Sequence, residues 1–146
     1  MTKIPLLLMS EFNLVSKYSS SEAAEAAFYK AFANCDLQAM DAVWADAEVI
    51  CIHPGSTALV GREVVMRSWT HILTNAEPPD LGIEVLSRTV RDKLAVHVVE
   101  EHLTPVTDSS ASTLVVLATN VYCLESDGWR LREHHASTPR PRQTTH

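Results

Sequence analysis

Seven histidines give this chain many groups that could transfer protons or bind a metal ion. His134 and His135 are adjacent, so on a strand their side chains point to opposite faces. His97 and His102 lie five residues apart on one predicted strand and also fall on opposite faces. No His-x-His, His-Glu-x-x-His or Cys-rich cluster of the kind that binds zinc occurs. We therefore expect no metal site.

A carboxylate and an imidazole share one face of the last predicted strand, residues 129–137. Strict alternation groups four side chains that are half apolar and therefore suited to the interior: Trp129, Leu131, Glu133 and His135. The opposite face is cationic and should meet water or a partner. We interpret Glu133 and His135 as a candidate acid–base couple. The alternative is a structural pair in which each group satisfies the other's hydrogen-bonding capacity.

Two earlier predicted strands carry further polar side chains, but periodicity alone leaves their orientation open. Glu100 and Glu101 are adjacent, so one carboxylate lies on each face of its strand. Asn120 and Tyr122 share a face of the next strand, whose two faces are nearly equally apolar. An amide and a phenol on an inner face would suit the orientation of a carbonyl or hydroxyl ligand.

The length and charge of the chain limit the class of protein. A chain of 146 residues is the size of one domain, and its net charge of −6 argues against a nucleic-acid partner. Three widely spaced cysteines are typical of unpaired thiols in a reducing compartment, which predicts a cytoplasmic protein. The short apolar run at residues 4–9 is too short for a signal peptide or a membrane span.

The spacing of apolar residues predicts an α+β fold with the element order ααβαββββ. Ser19 and Glu22 fit a capping box for the first helix, and Asp36 can cap the second. Helices early and hairpins late indicate helices covering one face of a curved sheet. The late strands are predicted at residues 81–91, 94–104, 113–124 and 129–137. The expected organisation is an N-terminal arm at 1–18, a domain at 19–138 and a flexible tail at 139–146.

Several catalytic motifs are absent from the sequence. There is no Gly-rich loop that could hold a phosphate and no Gly-x-Ser-x-Gly nucleophile motif. The sequence also shows no cysteine beside a plausible base, so covalent catalysis by a thiolate is disfavoured. Because the phosphate-binding loop is absent, nucleotide-dependent transfer is also disfavoured, and we expect no cofactor.

Several short motifs occur in the middle and at the end of the chain, and their order along the sequence is informative. The middle contains His53-Pro54-Gly55, Leu59-Val60-Gly61-Arg62 and Ser68-Trp69. The end contains Ala118-Thr-Asn-Val-Tyr122, Asp127-Gly128-Trp129-Arg130 and His134-His135-Ala136-Ser137. Together these motifs resemble SnoaL-like members of the nuclear-transport-factor-like superfamily over about residues 20–138.

This resemblance implies a cone-shaped α+β barrel in which three helices pack on a curved mixed or antiparallel sheet. The pocket of such a cone lies between the helices and the concave sheet, and the resemblance favours Glu101, Asn120 and Tyr122 facing it. Burial would raise the pKa of Glu101 and make it a better base near neutrality. One residue departs from the family: Glu133 stands where many relatives carry the first of three histidines.

Two further residues are candidates for binding a ligand in this pocket. His53 ends a strand at the presumed mouth of the cone, where it could orient a ligand or cap the loop by bonding to the backbone. Trp69 lies on the apolar stripe of the third helix and could line the pocket or belong to the core.

Because the superfamily includes isomerases, polyketide cyclases, dehydratases and kinase association domains, the fold alone assigns no function. Our hypothesis is a protein that binds a small apolar, carbonyl-containing ligand and that, if catalytic, is a cofactor-free isomerase, cyclase or dehydratase. His135 or Glu101 would abstract the proton, and Asn120 or Tyr122 would hold the oxyanion. The alternative is a non-catalytic dimeric interaction module.

The assembly expected for this fold is a homodimer. The outer face of the predicted sheet carries an apolar set that includes Val115, Leu117 and Val121. Exposed apolar surface of this kind favours association, so the two subunits would meet through their sheets. No nucleic-acid or membrane partner is expected.

Overall fold

Helices precede most of the sheet in the computed structural model, which describes residues 18–108 and 110–140. The elements are α1 (Ser21–Ala33), α2 (Leu37–Val43), β1 (Ile50–Ile52), β2 (Leu59–Val60), α3 (Arg62–Asn75), β3 (Asp80–Arg91), β4 (Leu94–Thr104), β5 (Leu114–Glu125) and β6 (Gly128–Ser137). The predicted α+β class is confirmed, and β2 is an additional short strand. Apart from Tyr18, the predicted arm lies outside the described residues, as does the predicted tail beyond residue 140.

The first two helices begin at polar residues whose side chains cap them. Ser20 has an extended backbone, and its Oγ accepts a hydrogen bond from the Ala23 N–H at 3.0 Å. The predicted cap at Ser19 is therefore wrong by one residue, because it is the side chain of Ser20 that reaches the first turn. Asp36 caps α2 as predicted.

The six strands form one mixed sheet in the order β2-β1-β6-β5-β4-β3. β1 runs parallel to β6, and all the other neighbouring strands are antiparallel. Within the described ranges, β2 and β3 remain unpaired edges, so the sheet is not closed. The predicted barrel is thus an open cone, with the helices packed against its concave face.

Large apolar side chains fill the space between the helices and the concave face. Phe28 of α1 lies at the centre of this core and makes edge-to-face contacts with Trp44 and Trp69 at ring-centroid distances of 6.4 and 5.5 Å. All three rings are essentially inaccessible to solvent. Because α1 and α3 both contribute to this aromatic cluster, their positions relative to the sheet are fixed.

A β-bulge interrupts the last strand. Val121 of β5 pairs with Glu133, whereas the next residue, Tyr122, pairs with Leu131. Arg132 is therefore an extra residue without a partner across the β5–β6 ladder. Such an insertion shifts the alternation of side chains between the two faces by one position.

The bulge reverses which side chains of β6 face the interior. Leu131 is buried before the bulge, and His134 and Ala136 are buried after it. Glu133 is half-buried and His135 is exposed, both on the outer face. The prediction that Glu133 and His135 face the interior is wrong, because it assumed an unbroken strand.

The inner faces of β4 and β5 agree with the expectation from the family resemblance. Glu101 is 2% exposed, and Asn120 and Tyr122 are fully buried. Glu100 lies on the outer face and is only half-buried. The cysteines Cys35, Cys51 and Cys123 are free, which confirms that they are unpaired. None of the described helices is long and apolar enough to cross a membrane.

Candidate functional site

A cavity of about 180 Å³ lies between the helices and the inner face of the sheet. Its walls are mostly apolar and include Phe32, Trp69, Ile72, Leu103 and Val116. Three ionisable side chains also line it: His53, Glu101 and His134. An apolar cavity with a few convergent polar groups is the usual form of a small-molecule site.

Glu101 is placed in this cavity by the inner face of β4, between Ile83 of β3 and Val116 of β5. Its Oε2 accepts a hydrogen bond from the Tyr29 hydroxyl at 2.7 Å. Burial raises the pKa of Glu101 to about 7, and the hydrogen bond from Tyr29 offsets only part of that rise. Both protonation states of the carboxyl are therefore populated near neutral pH.

Tyr29 and Asn120 connect Glu101 to His134 behind the cavity wall. Asn120 Nδ2 donates to the Tyr29 hydroxyl oxygen at 2.8 Å, and Asn120 Oδ1 lies 2.6 Å from His134 Nδ1. All four side chains in this chain of hydrogen bonds are buried. A satisfied buried network of this kind holds each of its members in one orientation.

His134 is held among aromatic rings. Its ring lies 5.1 Å from Phe28 and 5.9 Å from Trp69, measured between ring centroids. Burial lowers the pKa of His134 to about 3, with smaller contributions from His53 and His135. The imidazole is therefore neutral throughout the physiological range.

His53 follows β1 and lines the cavity together with Glu101. Its Nε2 lies 3.0 Å from Ser68 Oγ, and burial lowers its pKa. Two roles were considered for His53: orienting a ligand, or capping the loop by bonding to the backbone. The ring does not bond to the backbone of the loop. The ring instead bonds to a side chain of α3 and lines the cavity.

A cysteine does lie beside a base, contrary to the prediction. Cys51 Sγ is 3.6 Å from His53 Nε2, because His53 follows β1 directly and lies two residues after Cys51 along the chain. Burial raises the pKa of Cys51 to about 12, so the sulfur stays a thiol. This pair therefore lacks the thiolate that nucleophilic catalysis requires.

Two of the remaining predicted site residues, Asn120 and Tyr122, do not line this cavity. Asn120 uses both ends of its amide on Tyr29 and His134. Tyr122 is fully buried beside His97, with a ring-centroid distance of 4.6 Å, and its hydroxyl has no hydrogen-bond partner among the described residues. Trp69 lines the cavity as predicted and belongs to the core as well.

Sequence reasoning missed Tyr29 and His134. His134 was assigned to the wrong face, because a bulge leaves no clear signal in a single sequence. Tyr29 could have been found from its spacing: it follows Glu25 by four residues on the inner face of α1, and two polar residues there need partners.

Glu25 belongs to a second buried cluster, which joins α1 to β3 and β4. Its carboxylate lies 2.6 Å from both His97 Nδ1 and Arg88 Nη2, and His97 Nε2 lies 3.0 Å from Ser21 Oγ. Burial opposes ionisation of Glu25, but the bonds to His97 and Arg88 outweigh it and lower its pKa. None of these four residues lines the cavity of Glu101, and the cluster fixes the helix that carries Tyr29.

In the part of the chain that the structure describes, one group of side chains has potential ligand atoms close enough together to share a metal ion. Glu84, Glu100 and His102 bring their potential ligand atoms within 4.8 Å of one another on the outer face of the sheet. His102 Nε2 already lies 3.2 Å from Glu100 Oε2. These side chains are exposed or half-buried, and the group is separate from the cavity.

Comparison with solved structures finds close matches to the whole cone. A proposed calcium/calmodulin-dependent protein kinase type II association domain from Thiobacillus denitrificans is 36% identical, with a TM-score of 0.79 over 85% of this chain and 98% of that one. A proposed dehydratase of the NTF2-like family from Streptomyces avermitilis is 31% identical, with a TM-score of 0.72 over 83% and 95% of the two chains.

A more distant structure shares the fold. A ketosteroid isomerase-like protein from Erwinia carotovora is 18% identical, with a TM-score of 0.66 over 82% of this chain and 94% of that one. No curated protein matches the chain with significant similarity. The family model of the SnoaL-like domain matches residues 22–141, which include every residue of the cavity. The chain therefore belongs to the SnoaL-like domain family.

Proposed function

We propose that this protein binds a small, mostly apolar molecule in the cavity and that Glu101 exchanges a proton with it. The observation that carries this proposal is a carboxyl only 2% exposed whose pKa is about 7, on the wall of an apolar cavity. A general base is most effective when its pKa lies near the working pH. Strongly shifted pKa values in a cleft are typical of functional groups.

The reaction class that fits this group is proton transfer next to a carbonyl, as in cofactor-free isomerases, cyclases and dehydratases. The Glu101 carboxylate would take a proton from the carbon beside the carbonyl, and the resulting acid would return it elsewhere on the ligand. Tyr29 holds Oε2, which leaves Oε1 for the ligand. The 31% identity to the proposed dehydratase from Streptomyces supports this class.

Hydrogen–deuterium exchange tests this proposal directly. Small cyclic ketones and hydroxyketones are incubated in D₂O with the protein, and loss of the C–H signal next to the carbonyl is followed by NMR. We expect the wild type to accelerate exchange for at least one compound, with a rate that rises with pH through about 7. Glu101→Gln should lower this acceleration about 100- to 10,000-fold, because it removes the base.

Glu133→Gln is the matched control, since it makes the same chemical change on the outer face of the sheet. It should leave the exchange rate unchanged. Equal exchange by the wild type and Glu101→Gln, for every compound, would rule out the proposed chemistry.

A second candidate function is that of a non-catalytic association module. The 36% identity to the proposed kinase association domain favours it. This candidate and the first differ in their demands on the cavity, because an association module has no need of Glu101. The polar groups that line the cavity support the first candidate. The three free thiols support the expectation of a reducing, cytoplasmic location for either.

Both candidates share the proposal of a homodimer formed through the outer face of the sheet. Val96 is 40% exposed there, beside Val121, and Val115 and Leu117 continue the apolar surface. Light scattering at micromolar concentration should therefore give about twice the chain mass of 16.1 kDa.

A charged residue at the centre of this surface should break the dimer. Val121→Lys is expected to lower the scattering mass to that of one chain. Thr70→Lys, on the exposed side of α3, serves as the control and should leave the mass unchanged. A wild-type mass of one chain throughout a dilution series would contradict this mode of assembly.

A further inference from the structure

We infer that the cavity presents hydrogen-bond acceptors to its ligand when Glu101 is ionised and therefore takes a compact, uncharged hydroxyketone, whose hydroxyl group supplies a donor that the described lining lacks. This inference rests on the proposed function and names its substrate class. It follows from the direction of each hydrogen bond around the three ionisable side chains of the cavity.

The first set of hydrogen bonds, which links Glu101 to His134 through Tyr29 and Asn120, has only one possible donor-to-acceptor direction. The Tyr29 hydroxyl has one hydrogen, which it donates to Glu101 Oε2. Asn120 must then donate its Nδ2–H to the Tyr29 oxygen, so the amide oxygen of Asn120 faces His134 Nδ1. His134 Nδ1 therefore carries the single proton of the neutral ring, and Nε2 carries a lone pair on a ring that lines the cavity.

The hydrogen bond between His53 and Ser68 also has only one possible direction. Ser68 donates its only hydroxyl hydrogen to the backbone carbonyl of Val65 at 2.7 Å. The Ser68 oxygen can therefore only accept from His53, so His53 Nε2 carries the proton. Nδ1 of His53 then carries a lone pair, and the sulfur of the Cys51 thiol lies 4.0 Å from it.

The other polar groups of the cavity wall also offer acceptors rather than donors to a ligand. Glu101 Oε1 is an acceptor whenever the carboxyl is ionised. The indole nitrogen of Trp69 is inaccessible and has no hydrogen-bond partner among the described residues, so its N–H is not presented to the cavity. Among the described residues that line the cavity, none is a lysine or an arginine.

Charge and size define the ligand further. An anionic ligand would meet a carboxylate and two lone pairs with no compensating donor, which is strongly unfavourable in a buried site. A cavity of 150 Å³ in another protein holds benzene, so about 180 Å³ admits one six-membered ring with small substituents. The carbonyl then lies toward Glu101, where proton transfer occurs, and the hydroxyl donates to His134 Nε2.

The directions of the hydrogen bonds can be observed without any ligand. NMR of the protein labelled with ¹⁵N-histidine reports which ring nitrogen of each histidine carries the proton. We expect the Nδ1–H form for His134 and the Nε2–H form for His53 at pH 7. The opposite form of His134 would overturn the inference, because it would place a donor in the cavity.

The ligand class is tested with 2-hydroxycyclohexanone and its methyl ether, 2-methoxycyclohexanone, which differ in the donor. Binding is measured by the change in tryptophan fluorescence, to which Trp69 in the cavity wall contributes, and by ligand-observed NMR. We expect the methyl ether to bind at least about tenfold more weakly, since it leaves a buried acceptor unpaired. His134→Phe should remove the difference between the two compounds, whereas His135→Phe on the outer face should preserve it.

Equal binding of the two compounds by the wild type, or binding of neither, overturns the assignment of substrate class. Failure of the proposed proton transfer can be distinguished from failure of the substrate class, because C–H exchange and binding are measured separately. If the hydroxyketone binds selectively but its C–H exchange is the same with the wild type and Glu101→Gln, the acceptor cavity stands and the proton transfer does not.

Discussion

Replacing Glu101 with Gln is expected to stabilise the protein at pH 8 by on the order of 3 kcal/mol. The pKa of this carboxyl rises from its ordinary value of 4.5 to about 7 on folding, because burial penalises the charged form. The folded state therefore holds the Glu101 proton more tightly than the unfolded state. Stability from this group is fully present below pH 4.5 and is lost as the pH rises through 7.

Urea unfolding of the wild type and Glu101→Gln at pH 5 and pH 8 measures this effect. Gln keeps an oxygen that can accept the Tyr29 hydrogen bond, but it never ionises. The two proteins should have nearly the same free energy of unfolding at pH 5 and diverge at pH 8. Glu133→Gln, the outer-face control, should show no such divergence. A Glu101→Gln protein less stable than the wild type at pH 8 would contradict the account.

Acidification is expected to destabilise the protein through His134. Its pKa falls from 6.5 to about 3 on folding, so the unfolded state binds the imidazole proton first. Stability from this group is present above pH 6.5 and is lost as the pH falls toward 3. At pH 4 the loss amounts to on the order of 3 kcal/mol.

Glu101 acts in the opposite direction between pH 4.5 and 7, so the effect of His134 must be measured without it. Glu101→Gln and the double variant with His134→Gln are unfolded in urea at pH 7 and pH 4. The single variant should lose stability on acidification, and the double variant should lose about 3 kcal/mol less. Equal losses would show that His134 is not held neutral.

Much of the fold could be predicted from the sequence because local chemistry determines it. Asp36 caps a helix through its own side chain, and the two residues 92–93 turn a hairpin, as predicted. The orientation of Glu101 depends on the register of the whole sheet. Periodicity left it open, and the family resemblance predicted it correctly.

The part of the site that could not be predicted depends on one inserted residue. Arg132 shifts the last strand by one position, and this places His134 rather than His135 in the cavity. Nothing in the local alternation of residues 129–137 announces such a bulge. The spacing of Tyr29 from Glu25 could indicate a polar residue that needs partners but could not identify them, since they lie 72 and 91 residues away along the chain.

The most direct test of the account is the titration of the Glu101 carboxyl itself. The protein is labelled with glutamate carrying ¹³C at the side-chain carboxyl, and Glu101→Gln assigns the signal by its absence. The account predicts a titration midpoint at about pH 7, well above the ordinary glutamate value of 4.5. A midpoint near 4.5 would contradict it, because Glu101 would then be fully ionised at neutral pH and no better a base than any surface carboxylate.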